Sequence, residues 1–219
     1  MCGRSEPSFE AKLTHLVPDF SSKWLLEGKN QLPGLLGVGG RRYQVSGNIV
    51  RFDTSEKNRD FMGITYWVDV TEYDDIKQEY QNSRPVVAIL VLDNYDELMK
   101  NAAERVRNEL RSAVAERIEH WCEGKGGFVR NVERDRTLFV FEKRHLEGLI
   151  AEKFSLVEDV RSVVSPTGIH ATISIGIGVD GSSFEETYAF ASLAAEMALS
   201  RGGDQAVIKN RFNFEFYGG

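Results

Sequence analysis

Two aspartates stand where a folded sheet would bring their carboxylates together. Asp93 directly follows the continuous apolar run Val86–Leu92, which is typical of a strand buried on both faces. Asp135 lies at the tip of a predicted hairpin, Phe128–Phe141. A carboxylate at the end of a buried strand can project into a cleft, and oxygen ligands of this kind hold divalent cations. The pair therefore predicts a site for Mg²⁺ or Mn²⁺.

Arginines flank the second of these aspartates. Arg134 and Arg136 lie on either side of Asp135, and guanidinium groups bind phosphate oxygens through charge-assisted hydrogen bonds. Together with a cation they predict a weak, metal-assisted nucleotide site. An ordinary surface cluster of ion pairs, worth at most about 1 kcal/mol per pair, explains the same charges. The residues alone leave both interpretations open.

A second glycine-rich segment, Gly202-Gly203-Asp204-Gln205, lies between a predicted helix and a predicted strand. Glycine-rich turns cradle phosphate where a helix begins, because the positive end of the helix dipole is there. Here a helix ends instead, so the dipole has the wrong sign for an anion. The glycines are therefore predicted to stop the helix.

From Pro85 onward the sequence alternates between strand and helix patterns. This alternation predicts an α/β (α+β) fold with a central sheet covered by helices. The predicted helices are Ala102–Trp121, Leu146–Val164 and Phe184–Ser200; the predicted strands are Val86–Leu92, Phe128–Val132, Thr137–Phe141, Ala171–Val179, Ala206–Lys209 and Phe212–Tyr217.

The region before Pro85 has shorter elements and predicts a separate domain. We expect domain bounds at 1–71, a helical linker at 72–84 and a second domain at 85–219. Sheet edges exposed in the first domain, or the linker helix, predict a homodimer. The predicted elements are a helix Phe20–Leu26, strands Arg41–Phe52 and Phe61–Val70, a polar turn Glu56–Asp60, and a helix Glu72–Gln81 capped by Thr71.

The composition argues against several classes of function. A formal net charge of −6 disfavours binding of nucleic acid through phosphate contacts. No apolar run approaches the roughly 18 residues of a membrane-spanning helix, so we expect the chain to be soluble. Cys2 and Cys122 have no motif spacing and are predicted to be reduced cysteines of an intracellular protein.

Three segments together resemble one protein family. They are Leu92-Asp93-Asn94-Tyr95-Asp96-Glu97, the segment from Ser200 to Lys209, and Phe214-Glu215-Phe216-Tyr217-Gly218-Gly219. The chain resembles the PAS–degenerate GGDEF region of the GdpP/YybT family, which are membrane-anchored bacterial phosphodiesterases that hydrolyse cyclic di-AMP. In this frame Glu133-Arg134-Asp135-Arg136-Thr137 replaces the Gly-Gly-Asp-Glu-Phe signature of diguanylate cyclases.

The resemblance assigns roles to single positions. Asp93 and Asp135 match the two metal-ligand positions, and Asn101 matches the asparagine that contacts guanine. Arg136 replaces the catalytic acidic residue, and the two signature glycines are Glu133 and Arg134. Bulk at these two positions, and a cation in place of a carboxylate, predict that the chain is not a diguanylate cyclase.

The resemblance also implies a longer parent protein. Family members carry two N-terminal transmembrane helices, a PAS domain that can bind haem, the degenerate GGDEF domain and a DHH/DHHA1 phosphodiesterase domain with Mn²⁺. We expect this chain to begin inside the PAS domain, whose incompleteness disfavours haem, and to lack the DHH domain. The parent is expected at the cytoplasmic face of the bacterial membrane, held only by the absent N-terminal helices.

Three functions remain open on the sequence. The first is a regulatory and dimerising module that biases the absent phosphodiesterase domain. The second is weak metal-dependent hydrolysis of a nucleotide such as ATP at Asp93 and Asp135. The third is a purely structural dimerisation scaffold.

Overall fold

The computed structural model describes residue 13 and residues 17–52 and 60–218. Cys2 and most of the predicted turn Glu56–Asp60 lie outside these residues. The chain divides into two compact units, one ending at Glu79 and the other beginning at Tyr80. No helix in the described part of the chain is both long and apolar enough to span a membrane.

The first unit contains a three-stranded antiparallel sheet. Its strands lie in the order β1-β2-β3, with Tyr43 of β2 opposite Asp69 of β3. A small core covers one face, formed by Val17, Phe20, Trp24, Leu25, Leu36, Tyr43 and Val45. The elements of this unit are helix α1 (Lys23–Leu26) and strands β1 (Leu36–Val38), β2 (Arg41–Phe52) and β3 (Asp60–Asp69). Helix α2 (Thr71–Asn82) follows, and its residues from Tyr80 onward belong to the second unit.

Helix α2 begins at Thr71 itself, one residue earlier than the sequence predicts. The Thr71 hydroxyl donates to Asp69 Oδ1 at 2.6 Å and accepts from the Arg42 N–H at 2.8 Å. Its oxygen is thus used between β2 and the helix, and the predicted Thr71 cap is wrong. Arg42 also pairs with Asp74 at 2.7 Å, which ties the start of α2 to the sheet.

The second unit is built on a six-stranded sheet in the order β5-β6-β4-β7-β8-β9. The β7–β8 pair is parallel, and all other neighbours are antiparallel. Its strands are β4 (Pro85–Leu92), β5 (Phe128–Asn131), β6 (Arg136–Glu142), β7 (Ile173–Gly178), β8 (Gln205–Lys209) and β9 (Phe214–Gly218); its helices are α3 (Tyr95–Met99), α4 (Glu104–Cys122), α5 (Leu146–Ala151), α6 (Leu156–Arg161) and α7 (Phe184–Ser200).

Strand β4 lies in the middle of this sheet and is buried from Val86 to Leu92. Alternate side chains pack in two separate clusters, as the period of two in a strand requires. Val86, Ala88, Leu90 and Leu92 pack with residues of α4, whereas Val87, Ile89 and Val91 pack with Ala191 and Ala195 of α7. Helices therefore cover both faces, and the predicted α/β architecture is confirmed.

The segment Leu146–Val164, predicted to be mostly helical, contains two short helices with a break between them. The chain forms a 3₁₀ turn at Lys143–His145 and then two short helices, α5 and α6. Between them Lys153 and Phe154 adopt left-handed backbone angles, with φ of 51° and 56°. The Phe154 side chain is completely buried and packs edge-on against Tyr217. Burial of this ring offsets the cost of a left-handed non-glycine residue, and sequence periodicity does not reveal such a break.

Candidate functional site

A small cavity of about 300 Å³ opens at the end of β4, beside the tip of the β5–β6 hairpin. Asp93 and Asp135 both line it, together with Arg134. The backbone places them there because the Leu92 N–H donates to the Asp135 carbonyl at 2.8 Å. The structure thus brings together the two carboxylates that the sequence singles out. The other lining residues are Asn94, Tyr95, Asp96 and Glu97.

A backbone hydrogen bond positions the Asp93 carboxylate. Its Oδ2 accepts a hydrogen bond from the Asp204 N–H at 2.8 Å. Its Oδ1 is shielded from solvent and has no hydrogen-bond partner among the residues that the structure describes. Burial raises the pKa of Asp93 above its ordinary value, and the hydrogen bond from the Asp204 N–H partly opposes this shift. One carboxylate oxygen is therefore buried and uncompensated.

The turn Gly202-Gly203-Asp204 ends α7, as the sequence predicts. The Gly203 N–H donates to the Ala198 carbonyl at 3.0 Å, and both glycines have positive φ. The same turn also holds Asp93, which the sequence does not reveal. A Cβ at Gly203 would lie 2.6 Å from Asp93 Oδ2, and Asp204 is anchored by an ion pair with Arg161.

Replacing Gly203 with alanine tests this contact. The new methyl group forces the Asp93 carboxylate to move and breaks its bond to the Asp204 N–H. Gly168→Ala is the matched control, since Gly168 has a similar φ of 82° but no atom within 4 Å of a Cβ. We expect Gly203→Ala to lose about 1–2 kcal/mol more unfolding free energy than Gly168→Ala in urea titrations. Equal losses would show that the turn does not position Asp93.

The remaining predicted site residues lie at different places. The Arg134 guanidinium carbon lies over the Tyr95 ring, 5.6 Å from its centroid. Arg136 Nε lies 3.9 Å from Glu133 Oε2. Asn101 is exposed with a left-handed φ of 58°. Neither Arg136 nor Asn101 lines the small cavity, and the roles that the sequence assigns to them stay predictions.

A larger cavity of about 540 Å³ lies between α4 and the β5–β6 hairpin. Tyr95, Arg134 and Asp135 line this cavity as well as the small one. Arg111 of α4 also lines it, and its Nε donates to the Tyr95 hydroxyl at 3.0 Å. Sequence reasoning missed Tyr95 and Arg111, because an arginine on a charged helix carries no signal of its own.

The donor set of the small cavity fits a divalent cation in a particular way. Asp93 and Asp135 offer two carboxylates, and no described residue hydrogen-bonds to Asp93 Oδ1. Within the described residues no group of three or more His, Cys, Asp or Glu side chains could hold a metal ion. Mg²⁺ is commonly held by one or two carboxylates plus phosphate oxygens. The residues therefore fit a cation that arrives with a phosphate ligand.

Comparisons of sequence identify the relatives of the chain. Residues 90–216 match the family described as "Cyclic-di-AMP phosphodiesterase GdpP-like, GGDEF domain". The cyclic-di-AMP phosphodiesterase GdpP of Geobacillus thermodenitrificans is 34% identical over 157 residues, which is 71% of this chain and 24% of that protein. The phosphodiesterase PdeA of Listeria monocytogenes is 34% identical over 191 residues, which is 87% of this chain and 28% of that protein. The chain spans about a quarter of the length of these relatives.

Solved structures support the fold alone. The active GGEEF domain of a diguanylate cyclase from Vibrio cholerae aligns with a TM-score of 0.51 at 15% identity, covering 62% of this chain and 88% of that one. The coiled-coil and GGDEF domain of DgcB from Caulobacter crescentus, in complex with c-di-GMP, aligns with a TM-score of 0.52 at 14% identity, covering 63% and 78%. These alignments support a GGDEF-like α/β fold with a central sheet.

Proposed function

Because this chain belongs to the family of GdpP-like GGDEF domains, we propose that it is a regulatory module of a cyclic-di-AMP phosphodiesterase. Its altered GGDEF site binds a nucleotide with Mg²⁺ or Mn²⁺ and does not make cyclic di-GMP. The observation that carries this proposal is the shared cavity of Asp93, Asp135 and Arg134. Hydrolysis of cyclic di-AMP belongs to another part of the longer protein.

The residues of the small cavity have different roles in binding. Asp93 and Asp135 would hold a divalent cation, which supplies charge neutralisation for the phosphates. Arg134 contributes a guanidinium that can bond to phosphate oxygens directly. Arg136, in place of the catalytic acidic residue, offers neither a metal ligand nor a base. Such a site binds a triphosphate without activating a nucleophile.

The first expected result is that the purified chain makes no cyclic di-GMP from GTP. Glu133 and Arg134 add bulk where the signature has glycines, and Arg136 removes a carboxylate. The measurement is product analysis by chromatography after incubation with GTP and Mg²⁺ or Mn²⁺. Detectable product that disappears in an Asp135→Ala variant would overturn this part of the proposal.

We propose that the module works as a homodimer on the cytoplasmic face of the membrane, anchored through other segments of the longer protein. Helix α2 carries an apolar stripe of Tyr73, Ile76 and Tyr80, which are 69%, 63% and 64% exposed. The spacing of three and four residues places them on one face. A second copy of the same helix would cover this stripe.

We expect light scattering at about 100 µM, above the range of weak micromolar association, to give twice the chain mass. Ile76→Asp should yield monomers, since a charge would be buried in the dimer contact. Gln78→Asp, on the opposite side of α2, is the control for added charge and should stay dimeric. A monomeric parent chain would refute the proposed assembly.

A further inference from the structure

The larger cavity extends along α4 for more than two helical turns. Its lining on α4 runs from Arg111 to Glu119, and eight residues at 1.5 Å each span about 12 Å. The floor between these ends is apolar, formed by Leu90, Leu92, Val114, Ile118, Val129 and Ile173. A cavity of about 540 Å³ has the size of a small-molecule site, and its apolar floor is surrounded by polar and charged side chains.

Both ends of this cavity carry charged side chains, and Glu133 and Asp135 line it beside Arg134. Arg111 and Arg134 lie at one end, and both guanidinium groups are within 6 Å of the Tyr95 ring centroid. Among the described residues neither arginine forms an ion pair within 4 Å. Glu119 lies at the other end, which continues towards Gly126 and Gly127. Two guanidinium groups that lack an ion-pair partner among the described residues favour an anion at the first end.

The end of the larger cavity that holds the two arginines adjoins the small acidic cavity. Tyr95, Arg134 and Asp135 line both spaces, so a ligand can extend from one into the other. Asn101 lies in the lining of neither. A nucleotide whose phosphates reach Asp93 and Asp135 therefore has an apolar compartment for its base on the far side of Arg111.

We propose that a nucleoside triphosphate lies across both cavities, with its base between α4 and β5 and its phosphates beside Arg111 and Arg134. This inference rests on the proposed function and places the base away from Asn101. The apolar floor contacts the faces of the base and the sugar. Glu119 accepts a hydrogen bond from an amino or imino group on the base edge.

The test is calorimetric titration of the 219-residue chain with ATP, GTP and inorganic tripolyphosphate in Mg²⁺. Ala115→Leu fills the middle of the cavity and should weaken nucleotide binding about tenfold, as expected for lost apolar contact and overpacking. Its affinity for tripolyphosphate should not change.

Arg111→Gln should weaken the binding of all three ligands about tenfold, since it removes a charge-assisted hydrogen bond. Arg105→Gln, an exposed change one and a half turns earlier in α4, is the charge control.

The outcomes separate this inference from the proposed function. If the parent chain binds nucleotide and Asp93→Asn weakens it while Ala115→Leu and Arg111→Gln do not, the base lies elsewhere and only this inference falls. If the parent binds no nucleotide with Mg²⁺, both fall. Because Arg111 is exposed, its variant is informative even where Ala115→Leu disturbs folding.

Discussion

Replacing Asp93 with asparagine should raise the melting temperature at neutral pH and at the same time weaken nucleotide binding. Burial raises the pKa of this carboxyl, so the charged form costs folding free energy. An asparagine keeps an oxygen for the Asp204 N–H and carries no charge. A residue that lowers stability but binds a ligand is an example of the trade-off between stability and function at binding sites.

The pH dependence of this gain has a definite sign. Because the folded-state pKa lies above the unfolded value, Asp93 costs nothing below that value and most above the folded pKa. The advantage of Asp93→Asn should therefore be largest near pH 7 and vanish below the ordinary value of 3.8. Calorimetric melts of both proteins from pH 3 to pH 8 measure it. Asp96→Asn, an exposed change in the same cavity, is the control, and an Asp93→Asn protein that melts lower at pH 7 would contradict the account.

Replacing Gly178 with alanine should strongly destabilise the second unit. A Cβ at this position would lie 1.9 Å from the Thr187 carbonyl oxygen, which belongs to the backbone of α7. Either β7 or α7 must move, and both contribute to the buried core, so the expected loss exceeds about 3 kcal/mol.

Gly148→Ala is the matched control for this change. Gly148 lies in α5, and no atom is within 4 Å of a Cβ there, so alanine should gain up to about 1 kcal/mol of helix propensity. Urea unfolding followed by circular dichroism compares the two variants. A Gly178→Ala protein as stable as the parent would mean that α7 does not pack as closely on β7 as the structure shows.

Local signals in the sequence predicted much of the second unit. Helix Phe184–Ser200 has its predicted bounds because residues just outside each end are typical helix-capping residues. Ser183 accepts a hydrogen bond from the Glu186 N–H at 3.1 Å, and Gly202-Gly203 stops the last turn. The run Val86–Leu92 was recognisable as a central strand because every residue in it is apolar.

The features that sequence reasoning missed depend on contacts between distant segments. The helix break at Lys153 and Phe154 follows from burial of the Phe154 ring against Tyr217. No local sequence pattern indicates this break. The hydrogen bond from the Asp204 N–H to Asp93 joins two residues that are 111 positions apart in the sequence. The pairing of Arg111 with Tyr95 likewise exists only once α4 lies against the sheet. Strand and helix patterns placed Asp93 and Asp135 at one cavity, but not the groups that complete it.

The most direct test of the central claim is the Mg²⁺ dependence of nucleotide binding. Isothermal titration of the chain with ATP or GTP should give weak binding with Mg²⁺ or Mn²⁺ and none when EDTA removes the cation. Asp93→Asn should reduce the affinity about ten- to hundredfold, the effect of losing a bond to a charged group. If Asp93→Asn binds as tightly as the parent, or if EDTA leaves binding unchanged, Asp93 and Asp135 form no metal-assisted nucleotide site.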